Sequence, residues 1–176
     1  MAPKFLSLAY VRYEVSPMSL QSAALLLFRR RAEGPEVLLV HPGGPFWAKR
    51  DESAWSLPKG EFASGEEPLK AAQREFAEET GFALPPGPFI DLGSARLKSG
   101  KVVHAWAAEG DCDPAQLRSN WIEIAWPPRS GRNMRIPEVD RAAFFSLPDA
   151  CRKIHAGQLL LLERFAAVMA VDRTTG

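Results

Sequence analysis

Three glutamates near the middle of the chain have the spacing of a charged helix face. Glu75, Glu78 and Glu79 are three and four residues apart, and residues at these spacings are neighbours on an α-helix. Like charges so placed destabilise a helix by about 0.2–0.5 kcal/mol per pair, which indicates a use for the charge. Mg²⁺ prefers oxygen ligands and is commonly held by carboxylates together with substrate phosphates. The spacing therefore predicts a site for a hard divalent cation, although a solvated acidic helix face would look the same.

The helix that carries these glutamates has clear ends in the sequence. Pro68 suits the first turn of a helix, and Gly81 suits the left-handed residue that follows the last turn. Ala71 lies one turn before Glu75, so we expect it to share the acidic face and to leave room for a bulky ligand. A second stripe, about a quarter turn away, is expected to be buried. Its members are Leu69, Ala72, Phe76 and Thr80.

These residues belong to a longer pattern. It reads glycine, five residues, glutamate, seven residues, and then Arg-Glu-apolar-x-Glu-Glu-x-Gly-apolar. The matching positions are Gly60, Glu66, Arg74, Glu75, Phe76, Glu78, Glu79, Gly81 and Phe82. The stretch Gly60–Phe82 resembles the Nudix box without departure, and the surrounding strand pattern extends the resemblance to about residues 22–170. Members of this family hydrolyse a nucleoside diphosphate that is linked to another group.

The resemblance implies a role for each charged residue of the box. Glu75 and Glu79 are expected to be the main metal ligands, with Glu78 a direct or water-mediated ligand. The Gly60 carbonyl is a further candidate ligand. Arg74 is expected to orient the glutamates, and Glu66 to support the metal site from outside the ligand shell. The expected ion is Mg²⁺, with Mn²⁺ as the alternative, because divalent ions neutralise polyphosphate charge and orient the attacking water.

The residue that would accept a proton from that water lies less clearly in the pattern. Glu123 is the first candidate, because it alternates with bulky neighbours on a predicted strand downstream of the box. Glu138, which follows Pro137 in a loop, is the second. His41 and His104 are further candidates, although a lone histidine on a strand is more often structural.

The substrate class rests on the entry to the box and on nearby cations. The run Leu57-Pro58-Lys59-Gly60 resembles the entry in dinucleoside-polyphosphate hydrolases and in some nucleoside-triphosphate housecleaning enzymes. Lys59 and Arg132 are therefore predicted to contact phosphate, and Phe46 and Trp47 either stack on a base or pack locally. Further cations that either hold phosphates or lie on solvated loops are Lys49, Arg50, Arg129 and Arg135. Dinucleoside polyphosphates are the first choice, followed by nucleoside triphosphates, and then by nucleotide sugars or capped RNA. The alternative class is a catalytically silent nucleotide-binding module.

Composition places few further limits on these functions. The chain has 176 residues, a formal net charge of +1 and no apolar run long enough for a membrane span. This favours a cytoplasmic protein with a small-molecule partner over one that binds nucleic acid or a membrane. Two cysteines give neither a disulfide framework nor a metal-binding spacing. We expect an extension of unclear role over residues 1–18 and one domain over residues 19–176. Its predicted fold is α/β, a mixed sheet with helices on its faces, and the resemblance makes it the Nudix α/β/α sandwich.

Overall fold

The first strand of the sheet is buried on both of its faces. In the computed structural model, which describes residues 20–172, strand β1 (Gln21–Arg31) runs through the middle of the sheet. Its alternate side chains enter two apolar cores: Ala24, Leu26 and Phe28 lie in one, and Ala23, Leu25 and Leu27 in the other. The continuous apolar run in this part of the sequence therefore reflects a strand covered from both sides, as parallel pairing usually requires.

Eight strands and three α-helices follow each other within residues 20–172. After β1 come β2 (Gly34–Pro42), β3 (Lys59–Glu61), α1 (Pro68–Thr80), β4 (Ile90–Arg96), β5 (Val102–Glu109), β6 (Trp121–Ala125), β7 (Asn133–Pro137), β8 (Val139–Ser146), α2 (Leu147–Lys153) and α3 (Leu159–Asp172). The main sheet has the order β4-β5-β1-β2-β8, and β3 pairs with the beginning of β1. Its β1–β5 pair is parallel and its other pairs are antiparallel, so the sheet is mixed, as predicted.

Helices cover the sheet on both sides. Phe76 of α1 lies in the same core as the Leu25 side of β1, whereas Phe165 of α3 lies in the opposite core with Phe28. The Phe28 and Phe165 rings are 4.9 Å apart. The fold is therefore the predicted α/β/α sandwich. Among the described residues, α1 is the α-helix on one side of the sheet, and α2 and α3 lie on the other side.

Strands β6 and β7 form a separate two-stranded ribbon. They pair in antiparallel register, with Ile122 opposite Ile136 and Glu123 opposite Arg135. One face of the ribbon carries the isoleucines and packs towards the main sheet, because Ile136 is buried and Ile122 is half-buried. The other face, which carries Trp121, is exposed to solvent.

The helix predicted between Pro68 and Gly81 is present as α1. The strand before it is short, Lys59–Glu61, and Trp55 and Ser56 form only isolated bridges. The expected extension over residues 1–18 lies outside the described residues. No helix within residues 20–172 is long and apolar enough to cross a membrane.

Candidate active site

The end of α1 places Glu79 in a buried position beside β3. Only 5% of Glu79 is exposed, and its Oε2 accepts a hydrogen bond of 3.0 Å from the backbone N–H of Lys59. Burial raises the pKa of Glu79 to about 8, and the negative charges of Glu138 and Glu75 add to this, while the Lys59 ammonium opposes it. A carboxylate in these surroundings lacks a sufficient countercharge, so a cation bound here would be strongly favoured.

Glu75 lies one turn earlier, against the backbone of Gly60. A Cβ at Gly60 would overlap with the Glu75 carboxylate, so only glycine allows this close approach. The Glu75 side chain is 13% exposed, and its burial raises its pKa, with an opposing effect from Arg74. Gly60 therefore leaves room for the Glu75 side chain, and the Gly60 carbonyl belongs to the same residue that the Glu75 carboxylate approaches.

Arg74 connects the acidic residues of the box. Its guanidinium donates hydrogen bonds to Glu66 at 3.0 Å, to Glu75 at 2.6 Å and to Glu78 at 3.3 Å. It also reaches the carbonyl oxygen of Glu61 at 3.4 Å. The structure therefore brings Arg74, the predicted orienting residue, together with Glu66, Glu75 and Glu78. Glu78, with a side chain 49% exposed, faces solvent at the edge of this group.

A cavity of about 400 Å³ opens beside Glu79. Lys59 and Glu138 supply charge to its lining, and Phe46 and Trp47 supply aromatic rings. The ribbon contributes an apolar wall made of Ile122, Ile124 and Ile136. Sequence reasoning missed this wall, although strict alternation of Ile122 and Ile124 with Glu123 was a usable signal for a strand with one covered face.

The same alternation decides where Glu123 points. Ile122 and Ile124 line the cavity, so Glu123 lies on the opposite, exposed face of the ribbon, across from Arg135. The structure therefore does not bring Glu123 to the cavity. Glu138 lines it instead, and its charge is felt by both Glu75 and Glu79. Of the two glutamates considered from the sequence, Glu138 is the one placed near the acidic helix.

Other predicted residues are distributed between the cavity and the surface. Lys59 is at the cavity, whereas the cations of the ribbon are outside its lining: Arg132 is exposed, and the Arg135 guanidinium lies 5.3 Å from the Trp121 ring. His104 bonds to Gln21 at 2.6 Å, away from the cavity lining. The expectation for Ala71 was wrong, because this residue is fully buried in the core between α1 and the sheet.

The residues of the box fit a divalent metal ion by their chemistry. Glu75, Glu78, Glu79 and the Gly60 carbonyl offer only oxygen donors, which suit Mg²⁺. Burial raises the pKa values of Glu75 and Glu79, so a bound cation would stabilise their ionised forms. Within residues 20–172 no three acidic, histidine or cysteine side chains are grouped closely enough to hold a metal as they stand. Arg74 holds Glu75 and Glu78, so metal binding would compete with it for these carboxylates.

The sequence matches the NUDIX domain over residues 19–165, which is most of the chain. The chain belongs to the Nudix family. This membership makes it a pyrophosphohydrolase of the Nudix class, as the complete box predicted. The match spans both sides of the box, so the resemblance seen in Gly60–Phe82 extends over the whole sheet.

Solved structures support the fold of this Nudix protein. An Ap4A hydrolase from C. elegans, in a binary complex, is 24% identical with a TM-score of 0.61, covering 85% of this chain and 98% of that one. The NUDIX domain of Shewanella oneidensis NrtR, complexed with ADP ribose, is 22% identical with a TM-score of 0.56, covering 85% and 88%. A mutT/nudix family protein from Listeria innocua is 16% identical with a TM-score of 0.58, covering 89% and 98%.

Proposed function

We propose that this protein is a Mg²⁺-dependent hydrolase of nucleotide pyrophosphate bonds whose preferred substrates are dinucleoside polyphosphates such as diadenosine tetraphosphate. The observation that carries the proposal is the junction of two unlike surfaces. An apolar and aromatic cavity, suited to a nucleoside, ends at the buried carboxylate of Glu79 and at Lys59. A nucleotide held there would place its base among the aromatic and isoleucine side chains and its phosphates beside α1.

The residues have distinct tasks in this proposal. Glu75, Glu78, Glu79 and the Gly60 carbonyl would hold the divalent ion, and Arg74 and Glu66 would orient them. The ion would supply neutralisation of phosphate charge and activation of water. Lys59 would contact a phosphate oxygen, and Glu138 would accept the proton of the attacking water. The cavity walls would fix the nucleoside so that the scissile phosphate stays beside the acidic helix.

Support for dinucleoside polyphosphates comes from the run Leu57–Gly60, which leads into the box. It also comes from the likeness to an Ap4A hydrolase, which covers nearly the whole length of that hydrolase. Nucleoside triphosphates are the second candidate. Lys59 is the one cationic side chain among the described residues that line the cavity, and a short polyphosphate would need fewer cations. Arg132, which was predicted to contact phosphate, and Arg129 and Arg135, which were considered as further phosphate contacts, lie outside that lining.

Steady-state kinetics at one Mg²⁺ concentration would test the proposal. We expect kcat/KM to be highest for diadenosine tetraphosphate, lower for ATP and lowest for ADP-ribose. A higher value for ADP-ribose would contradict the substrate assignment, and the absence of Mg²⁺-dependent turnover with all three would favour a silent binding module.

A pair of variants would test the base. Glu138→Gln should reduce kcat by about 10²–10⁴-fold, the usual contribution of a general base. Glu123→Gln is the matched control and should leave kcat unchanged, because Glu123 lies on the exposed face of the ribbon. Equal effects of the two substitutions would remove Glu138 from this role. Arg132→Ala should alter all three substrates little, and a selective loss with diadenosine tetraphosphate would instead implicate the ribbon in binding long polyphosphates.

A further inference from the structure

His41 is a fully buried histidine that the proposed chemistry leaves without a task. Its Nδ1 lies 2.7 Å from the Oδ1 of Asp140, and its Nε2 lies 2.7 Å from the carbonyl oxygen of Arg50. Both partners are acceptors as long as the carboxylate is ionised, whereas a neutral imidazole has a single N–H. In the neutral ring, the lone pair of the unprotonated nitrogen would face an oxygen at hydrogen-bond distance. Two hydrogen bonds therefore require a ring that carries both protons.

A cationic side chain and an aromatic ring surround the contact between His41 and Asp140. The Nε of Arg141 is 3.5 Å from the same Asp140 oxygen that His41 contacts, and the Asp140 side chain is 29% exposed. On its other side the His41 ring meets Trp55 edge-on, with the ring centroids 5.2 Å apart. The Arg141 guanidinium lies 5.4 Å from the Trp55 ring. With the Asp140 carboxylate and the Arg50 carbonyl both accepting, the His41 ring forms both hydrogen bonds only when Nδ1 and Nε2 each carry a proton.

At one end of this pair is a β-bulge that shapes the cavity. His41 pairs with Arg141 and Pro42 pairs with Val139, so Asp140 is an extra residue in β8. Beyond the bulge the backbone N–H of Gly43 donates to the carbonyl oxygen of Glu138 at 2.9 Å. Asp140 thus turns towards His41, while Glu138 and Val139 line the cavity. Bulges often re-aim side chains next to active sites.

At the other end of the pair is the aromatic loop between β2 and β3. The Arg50 guanidinium lies 4.3 Å from the centre of the Phe46 ring and 5.5 Å from that of Trp47. Both rings line the cavity. Fixing the Arg50 carbonyl therefore fixes the backbone of the residue whose guanidinium contacts these two rings.

We propose that His41 is a positioning residue, whose doubly protonated ring joins the aromatic loop to the bulge that presents Glu138. One side chain then sets the distance between two walls of the cavity, the wall that would bind the nucleoside and the wall that would carry the base. The kinetic part of this inference rests on the proposed function, because it takes the cavity as the nucleotide site. The structural part does not.

Nuclear magnetic resonance would test the structural part on the wild-type protein. The chain has three histidines, so His104→Gln and His155→Gln variants would assign the imidazole signals. We expect both ring nitrogens of His41 to be protonated at neutral pH, with slowly exchanging protons because the ring is buried. A His41 with one protonated nitrogen would overturn the proposal, whichever nucleotide the protein cleaves.

Variants would test the positioning effect. In His41→Gln and Asp140→Ala we expect the indole N–H signal of Trp47 to shift, and KM for the preferred nucleotide to rise by about tenfold, the equivalent of one net hydrogen bond. Asp140→Asn keeps an acceptor for Nδ1, so its KM should rise less than that of Asp140→Ala. The affinity for Mn²⁺, measured by calorimetry, should not change, because α1 holds the proposed ligands. His104→Gln is the matched control, since its ring bonds to Gln21 outside the cavity.

The outcomes are separable. A purely structural histidine would lower the melting temperature without moving the Trp47 signal or KM at temperatures where the variant is folded, and this would overturn the proposal. Should His41→Gln fail to fold, the wild-type protonation measurement and Asp140→Asn remain decisive. Failure of the proposed function would appear as no nucleotide turnover in the wild type, while the His41 protonation and the Trp47 shift would still be observed.

Discussion

At the scale of single residues, the site depends on a charge that the folded protein does not favour on its own. Glu79 is nearly buried, and its raised pKa shows that the surroundings disfavour the ionised form. The same burial makes it a strong ligand once a cation is present, because electrostatic attraction increases as water is excluded. The ionised Glu79 therefore lowers the stability of the metal-free protein, whereas the proposed activity with metal requires this charge.

Substitution of Glu79 by glutamine should separate these demands. Glu79→Gln removes the charge and keeps an oxygen that can accept from the Lys59 N–H, so the metal-free free energy of unfolding should rise by about 1–3 kcal/mol at neutral pH. Loss of the ligand charge should lower kcat by roughly 10²–10³-fold, as for other active-site electrostatic groups. Thermal unfolding with EDTA and turnover with Mg²⁺ would measure both. Near-normal turnover in the folded variant would remove Glu79 from the site.

Gly60 matters for a different reason, because it leaves space for the Glu75 carboxylate. Gly60→Ala would force its new methyl group onto the Glu75 carboxylate, so that Glu75 or β3 must move. A displacement of this kind should lower kcat/KM by about 10–100-fold. Gly65→Ala is the control: its φ of 94° brings backbone strain, but a Cβ there meets nothing within 4 Å. Comparable losses of activity in both variants would show that a methyl group added anywhere in this segment impairs the site, and that the contact with Glu75 is not the specific cause.

At the scale of elements, α1 carries almost the whole acidic group and is oriented by one arginine. Arg74 reaches Glu66 before the helix as well as Glu75 and Glu78 within it. It therefore ties the loop that precedes α1 to the helix face that would bind metal. This explains why the box spans more than one element: Glu66 in the loop holds Arg74, and Arg74 holds Glu75 and Glu78 on the helix.

Arg74→Ala should lower both stability and activity. The 38% exposure of the Arg74 side chain moderates the effect, so we expect a loss of about 1–2 kcal/mol in metal-free protein. Excess Mg²⁺ should recover part of this stability, because the ion would supply positive charge to Glu75. Arg74→Lys keeps the charge but not the planar fork, and should give an intermediate result. Chemical denaturation with and without Mg²⁺ would measure this, and a variant as stable and as fast as wild type would show that Arg74 orients nothing.

The sequence predicted the elements of the site better than the directions of their side chains. The ends of α1 follow from Pro68 and from Gly81, which has a φ of 69°, because these residues act locally. Ala71 was misplaced, since the choice between core and cleft depends on how the helix is rotated against the sheet. His41 was considered as a base, and its actual contacts are with Asp140 at a bulge in β8, 99 residues away, and with the Arg50 carbonyl, nine residues away. The first depends on strand pairing and the second on the path of the loop, so neither follows from the residues next to His41.

At the scale of the whole molecule, the sheet separates two apolar cores with unequal tasks. One core lies under α1 and includes Phe76, which is on the same helix as Glu75 and Glu79. The other lies under α2 and α3 and includes Phe165. Both phenylalanines are fully buried, so they differ in location and not in exposure.

This difference gives a matched pair of substitutions. Phe76→Leu and Phe165→Leu should each lower the free energy of unfolding by about 1–2 kcal/mol, less than the roughly 3–5 kcal/mol typical of Phe→Ala. Only Phe76→Leu should also reduce kcat/KM, because Phe76 packs α1 against the sheet and thereby positions Glu75 and Glu79. Phe165→Leu removes the same volume on the far side of β1, where it contacts Phe28. Denaturation followed by assays well below each melting temperature would compare them. If both variants lost activity in proportion to stability, the two layers would be coupled, and the acidic helix would depend on the whole sandwich for its position.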